Sequence, residues 1–431
     1  MLNTSQMART ARAAPDVYRG LCCARLDPTS LNEAENDALK RHCLELVRRW
    51  SKEATREHRR GRTRVARQYQ TRLFESLASR FVAACQAEWK VRRRQRQQQR
   101  AIGRKPASVR VNFARAWRTA ERLADPRAPA SAIVHAEPKK SGGFRLVCSP
   151  DEFGVAKQLL FVNAVKPFAS LHPSQFALRR GWSAACKSLW HTMNEPHMQN
   201  TRFVQFDVVD FFGSISREYV EEAIPAPKAV IRNTLFMDNW RMTFKGIGST
   251  TDRRGLPQGL AASSLVAEMV MADVLREIAD LFPGLRCIHA YSDNWGGFVP
   301  HDQDAGDLVE SLKHAFETHR AGPYRLTDRT RPAGQSFEFL GLYFKPANAG
   351  RRARVSLPSN VSRWKELEFV GQLIEASTAN DVLRVLDRLR SFWSAYRLAP
   401  EAEKLGRRIC RMAIGELEFQ RRRGDASPER S

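Results

Sequence analysis

Arg286-Cys-Ile-His-Ala-Tyr291-Ser-Asp293-Asn294-Trp-Gly296-Gly297-Phe298-Val299-Pro300 is the stretch on which the reading of this chain turns. Apolar residues precede Tyr291, and Phe298 and Val299 follow two glycines, a pattern that predicts strand, tight turn, strand. The turn carries Asp293 and Asn294. A carboxylate at a rigid hairpin tip faces solvent and suits a metal ligand. Asp and Asn are also common residues of ordinary polar turns, so the stretch alone leaves both readings open. A second carboxylate weighs in. Asp207 ends an apolar strand predicted from Phe203 to Val208. If the two strands are neighbours in one sheet, both carboxylates meet at one edge. Hard divalent cations take such oxygen ligands, and Mg²⁺ completes its shell with water and substrate phosphate. Two such ions about 4 Å apart can activate an attacking hydroxyl and stabilise a leaving oxygen.

Charge points to the partner. The chain has 431 residues, with 71 Lys+Arg against 46 Asp+Glu and a net charge of +25. A surplus of this size fits a polyanion, nucleic acid first among them. It is also clustered: Arg56 to Arg67 is densely basic, and Arg92, Arg93 and Arg94 open a run of Arg and Gln that reaches Arg100. Such runs predict a phosphate-tracking surface. No apolar run is long enough to span a bilayer. The first 25 residues lack the apolar core of a secretory signal, and Asp16 and Asp27 argue against a mitochondrial-type presequence. The 8 cysteines show no zinc spacing, so a reduced cytoplasmic protein is expected.

Three segments are expected: a basic helical extension over 1–128, mixed α/β over 129–345, and basic helices with a charged tail over 346–431. In the first, Ser30 or Asn32 caps a helix carrying Leu39, Cys43, Leu46, Val47 and Trp50 at three- and four-residue steps. A second helix is predicted from Tyr69 to Arg94, with Leu73, Leu77, Phe81, Ala84 and Trp89 inward. Residues before 30, Gly103 to Ser108 and Asp125 to Ser131 read as irregular. A basic hairpin presents Lys139, Lys140 and Arg145. Gly255-Leu-Pro-Gln258-Gly259 is a loop opening into a helix from Ala261, and Phe337 to Phe344 reads as a strand with a turn at Gly341. A disordered tail is expected from Arg421.

These pieces carry a resemblance. Phe206-Asp207-Val208-Val209-Asp210-Phe211-Phe212-Gly-Ser-Ile215, Gly255-Leu-Pro-Gln258-Gly259 and Tyr291-Ser-Asp293-Asn294 occur in the order and approximate spacing of the palm motifs of reverse transcriptases. Lys139-Lys140-Ser-Gly-Gly-Phe-Arg145 resembles the family's basic fingers hairpin. Gln175-Phe-Ala-Leu-Arg179-Arg180-Gly181-Trp-Ser183 resembles the next fingers motif, and Phe337-Glu-Phe-Leu340-Gly341-Leu the strand joining palm to thumb. The likeness covers about residues 131–345. It implies an α/β right-hand polymerase with fingers, an antiparallel palm and a helical thumb. It implies Asp207 and Asp293 as catalytic metal ligands, with Val208 and Asn294 beside them, and Mg²⁺ as the ion. Lys139, Lys140 and Arg145 would hold a triphosphate. Phe211, Phe212, Gln258 and Gly259 would line the nucleotide site, with Phe212 as a gate against a 2′-hydroxyl. Arg179 and Arg180, like Arg92 to Arg94, would contact nucleic acid.

The departures are specific. Asn294 stands where the family's second Asp is usual; it offers a carbonyl oxygen without charge, so weaker metal binding, slow catalysis or a preference for Mn²⁺ follows. Arg329 stands where relatives often carry a Lys, and its high pKa makes it a poor proton donor. The Val-Thr-Gly thumb signature of retron enzymes is absent, Gln258 sets the chain apart from diversity-generating elements, and little chain follows residue 345 to match an intron protein. The chain is most similar to the unclassified bacterial reverse transcriptases, several of which act in phage defence. The implied activity is RNA-directed DNA synthesis on an RNA template from a DNA or RNA primer, using deoxynucleoside triphosphates. Two other readings stay open: a template-independent or ribonucleotide-using polymerase, and an RNA-binding protein with an impaired site.

Overall fold

A computed structural model describes residues 15–22, 30–101, 110–139, 143–198, 200–246, 255–300, 305–347 and 351–425. The chain forms two compact units built from discontinuous segments. The first takes Met1–Leu171, Asp210–Val274 and His319–Pro323; the second takes His172–Val209, Leu275–Thr318 and Tyr324–Ser431. Among the described residues the strands run in chain order as β1 (Ser131–Pro138), β2 (Phe144–Pro150), β3 (Thr201–Val209), β4 (Arg241–Lys245), β5 (Arg286–Tyr291), β6 (Asn294–Pro300), β7 (Arg325–Asp328), β8 (Phe337–Phe339), β9 (Leu342–Lys345) and β10 (Arg354–Ser356). Helix and sheet are mixed, as the sequence predicts.

The first unit is mainly helical. Asn32 caps helix Glu33–Arg59 in a reciprocal capping box with Glu35, one of the two caps foreseen. Leu39, Cys43, Val47, Leu73, Phe81 and Trp117 share its core. The Phe81 and Trp117 rings stack at 3.9 Å, and the indole N–H of Trp117 donates to buried Asn36 at 3.0 Å, so the polar atom carried inside is satisfied. Three expectations need correction. Residues 15–22 are helical, not irregular. The predicted helix from Tyr69 to Arg94 is two helices, Thr63–Glu75 and Leu77–Ala101. Ser76 between them is extended, and its hydroxyl accepts from the Ser79 N–H at 3.2 Å, so it caps the second helix. Trp89 points outward at 42% exposure, because small Ala83 and Ala87 fill the inward stripe. The loop predicted at Gly103 to Ser108, and Lys140, lie outside the described residues. The unit's sheet has the order β2-β1-β4, with β1 antiparallel to β2 and parallel to β4.

The second unit holds a sheet of order β5-β6-β3-β7. β3 lies inside it, antiparallel to both β6 and β7. Its residues Phe203, Val204, Phe206 and Val208 are buried, as expected for a strand covered on both faces. Gly296 and Gly297 belong to β6 rather than to the turn. A Cβ on Gly296 would lie 2.5 Å from the Phe203 ring and from the Val204 carbonyl oxygen, so close approach of backbone explains the first glycine. The predicted strand from Phe337 to Phe344 is a hairpin, β8–β9, turning on Leu340 and Gly341 with φ of 52° and 78°. Positive φ at both central residues is what a two-residue turn of this hand requires. This hairpin, β10 and helices Ser359–Ile374, Ala379–Tyr396 and Pro400–Asp425 pack through Phe344, Phe369, Leu389 and Leu405. The last helix runs through Arg421 to Asp425, where the sequence reading placed a tail; residues after 425 lie outside the described residues.

Candidate active site

The second unit brings Asp207, Asp293 and Asn294 together. Tyr291 of β5 pairs with Asn294 of β6, which leaves Ser292 and Asp293 as the two-residue turn. Ser292 takes φ 57°, an uncommon conformation for a non-glycine residue that marks a locally constrained turn. Asp207 is the direct cross-strand partner of Asn294, so their side chains share one face of the sheet. The carbonyl of Asp293 accepts from the N–H of Val208 at 2.9 Å, tying the turn to β3 beside Asp207. Asn294 donates its amide N–H to Asp293 Oδ1 at 3.3 Å. The donors gathered here are carboxylate and amide oxygens, the set that a hard divalent cation takes. Among the described residues no group of three or more His, Cys, Asp or Glu forms a metal cluster. Asn294 brings an amide and no charge to this edge.

Arg329 completes the electrostatics. Its Nε–H donates to Asp207 Oδ2 at 2.9 Å. Partial burial pushes the Asp293 carboxyl above the usual range; its own backbone and Asn294 pull it back, and the Asp207 charge adds to the rise. Asp293 is nonetheless on the surface, so solvent moderates the effect. A cation between the two carboxylates would relieve both the shielding and the repulsion.

The first unit carries a cavity of about 430 Å³. Lys139 and Arg145 of the basic hairpin line it, with Gln258, Asp210, Gly213 and the apolar wall of Phe236 and Met237. Arg145 is held by Glu137 at 2.9 Å. The Gln258 carbonyl accepts from Cys148 N–H at 2.8 Å, which seats the Gly255–Gly259 loop against β2. Gly259 has φ 92°, and a Cβ there would meet the Cys148 carbonyl oxygen at 2.6 Å. Gly255 has φ 69°, and a Cβ would lie 2.3 Å from the Phe212 carbonyl oxygen. That oxygen accepts from Leu256 N–H at 2.7 Å. The loop thus packs backbone to backbone on the turn that follows β3.

The predicted residues therefore fall into groups. Asp207, Val208, Asp293 and Asn294 lie together in the second unit. Lys139, Arg145 and Gln258 lie together in the first, with Gly259 beside them. Phe211 is buried and Phe212 half-buried, and neither is among the cavity's lining residues. Arg93 and Arg94 are exposed in the first unit, where Arg93 lies over the Trp89 ring at 5.2 Å; Arg92 is turned toward buried Glu88. Arg179 and Arg180 are exposed in the second unit, ahead of helix Gly181–Met193. The sequence reading gave no role to Asp210, which lines the cavity with φ 48° and sits under Gly213. Its signal was the glycine three residues on: a Cβ on Gly213 would fall 2.1 Å from Asp210 Oδ2.

Part of the chain matches a known family model. The model described as "Reverse transcriptase (RNA-dependent DNA polymerase)" matches residues 137–341. No curated protein matches the chain. Similar solved structures include apo telomerase from Candida tropicalis, at 12% identity and TM-score 0.41, over 77% of this chain and 64% of that one. A form of the same apo telomerase truncated from its C-terminal domain gives 13% identity and TM-score 0.38, over 53% and 55%. Telomerase from Candida albicans in complex with a TWJ fragment of telomeric RNA gives 12% identity and TM-score 0.36, over 68% and 60%. The chain thus spans between 55% and 64% of the length of these structures. The carboxylate hairpin, the basic hairpin and the Gln-Gly loop all lie within residues 137–341, the segment that matches the reverse transcriptase model.

Proposed function

We propose that this chain is an RNA-directed DNA polymerase that adds deoxynucleotides to a primer 3′-hydroxyl. The observation that carries the reading is the meeting of Asp207, Asp293 and Asn294 at one sheet edge. Asp207, Asp293, the Asn294 amide oxygen and the Val208 carbonyl would hold Mg²⁺ or Mn²⁺. Bound there, such ions supply charge for an attacking hydroxyl and a leaving pyrophosphate in two-metal transfer. The chain's own residues bind and orient. Lys139 and Arg145 present cations to a triphosphate, and the guanidinium can make planar paired contacts. Gln258 lines the cavity beside them and Gly259 ends the same loop. Phe212, half-buried on the turn this loop packs against, would be the gate against a 2′-hydroxyl, while Phe211 is buried. Positioning and charge neutralisation provide most of the acceleration in such sites.

The proposed organisation is a right hand: a basic helical extension over 1–128, fingers and palm over 129–345, and a helical thumb over 346–431. Exposed Arg93, Arg94, Arg179 and Arg180 support an RNA template and a primer as partners. A cytoplasmic setting is proposed on the scattered pattern of the cysteines, and a part in bacterial phage defence on the resemblance. One observation favours a second reading, an RNA-binding protein with an impaired site: the edge carries two carboxylates and an amide rather than three carboxylates. Purified protein with labelled nucleotides, with and without RNA, tests both. Incorporation that needs RNA and disappears in Asp207→Ala and Asp293→Ala supports the polymerase. Incorporation without template turns the reading to a template-independent enzyme, and RNA binding without incorporation to the impaired one.

A further inference from the structure

We propose that Arg329 is a built-in competitor for the metal site: it occupies Asp207 until a divalent cation displaces it. The inference rests on the reading of Asp207 and Asp293 as metal ligands. Four contacts carry it. The guanidinium Nε–H is seated on Asp207 Oδ2 at 2.9 Å, on an oxygen that a hard cation would need. The stem beneath it is clamped to β3. The Arg329 N–H donates to the Gln205 carbonyl at 2.8 Å, and the Thr330 hydroxyl accepts from the Gln205 N–H at 3.1 Å. Thr330 N–H in turn donates to the Asp328 carboxylate at 2.8 Å. The backbone of residues 328–330 is therefore held two residues from Asp207, and the side chain is the part free to swing.

Charge explains why this matters here. Asn294 supplies no charge, and Arg329 cancels one of the two carboxylates, so the metal-free edge is left with a single net negative charge. A guanidinium does not lose its proton in this pH range, so it leaves by displacement and not by titration. The pair is accessible to water, with side-chain exposures of 56% for Arg329 and 30% for Asp207. Pairs of that kind hold weakly, so a divalent ion can win Asp207. Arg329 acts here as a positioning residue that sets the ion concentration at which the site fills.

Titration of the full chain with Mn²⁺ alone, followed by the electron paramagnetic resonance signal of the free ion, tests this. Arg329→Gln should tighten Mn²⁺ binding by about three- to tenfold, the sum of a lost surface pair and a lost repulsion. Arg329→Lys keeps the charge and should stay within about twofold of wild type. The gain should shrink when Arg329→Gln is made in an Asp207→Asn background, where only the lost repulsion is left to act. The backbone bonds at 329 and 330 do not involve the guanidinium, so these variants keep the segment in place. Unchanged or weaker Mn²⁺ binding in Arg329→Gln overturns the proposal and leaves the ligand assignment standing. Mn²⁺ binding that survives Asp207→Asn together with Asp293→Asn removes the ligand assignment, and the proposal with it.

Discussion

Asn294→Asp restores a carboxylate to the hairpin edge and gives the sharpest test of the electrostatic account. The amide of Asn294 now donates to Asp293 Oδ1 at 3.3 Å. In the variant that donor becomes an anion, and two like charges replace a hydrogen bond. Unit charges 3.3 Å apart repel by about 1 kcal/mol at the dielectric of water and about 5 kcal/mol at an effective value of 20. The tip is open to solvent, so the lower end applies: a loss of about 1–2 kcal/mol of stability in chelator at neutral pH. A divalent ion reverses the sign. One added charge about 4 Å from an ion of charge two gains about 2 kcal/mol in water, or roughly thirtyfold in affinity. Urea unfolding in chelator reads the first number, and Mn²⁺ titration with primer extension reads the second. An Asn294→Asp protein as stable as wild type in chelator and no tighter for Mn²⁺ would refute the shared-edge geometry.

Further outcomes follow from other contacts. Asp293→Asn removes a carboxyl held above its usual range. A group raised in the folded state contributes stability below its unfolded pKa and loses it as pH rises through the folded one. The variant should therefore melt higher than wild type in chelator at neutral pH and gain nothing from added Mn²⁺; a lower melting point counts against the account. In the first unit, burial and the neighbouring Glu88 push the Glu152 carboxyl up to about 7, against Arg115 and Arg92. Wild type should lose stability between about pH 4.5 and pH 7, and Glu152→Gln should flatten that slope in urea titrations at pH 5 and pH 8. Gly255→Ala places a Cβ 2.3 Å from the Phe212 carbonyl oxygen at φ 69°. A loss of roughly 2–4 kcal/mol, or a displaced loop with extension lost at normal RNA binding, is expected. Trp295 stacks between Phe206 and Phe316 at 4.9 and 4.8 Å, and its buried N–H has no partner among the described residues. Trp295→Phe should change stability by under about 1.5 kcal/mol, whereas Trp295→Ala should lose roughly 3–5 kcal/mol; equal losses would show that the N–H is satisfied.

What the sequence determined by itself was local and periodic. Strand, turn and strand around Asp293 were legible because side chains alternate along a strand and few residues make a two-residue turn. The Asn32 cap, the start of the helix at Ala261 and the basic hairpin were legible for the same reason: each depends on neighbours within a few positions. The helix break at Ser76 was not, because the apolar period runs through it and only the Ser76–Ser79 bond marks the cap. Trp89 was misread because a single indole looks inward until Ala83 and Ala87 are seen to fill the core. The site itself was a conjecture about two carboxylates 86 positions apart, and the antiparallel register of β3 and β6 alone sets Asp207 opposite Asn294. Register is a long-range property, since one residue of slip would turn Asp207 to the other face. The seating of Arg329 on Asp207 belongs to tertiary structure in the same way, because β7 reaches β3 only through the folded sheet.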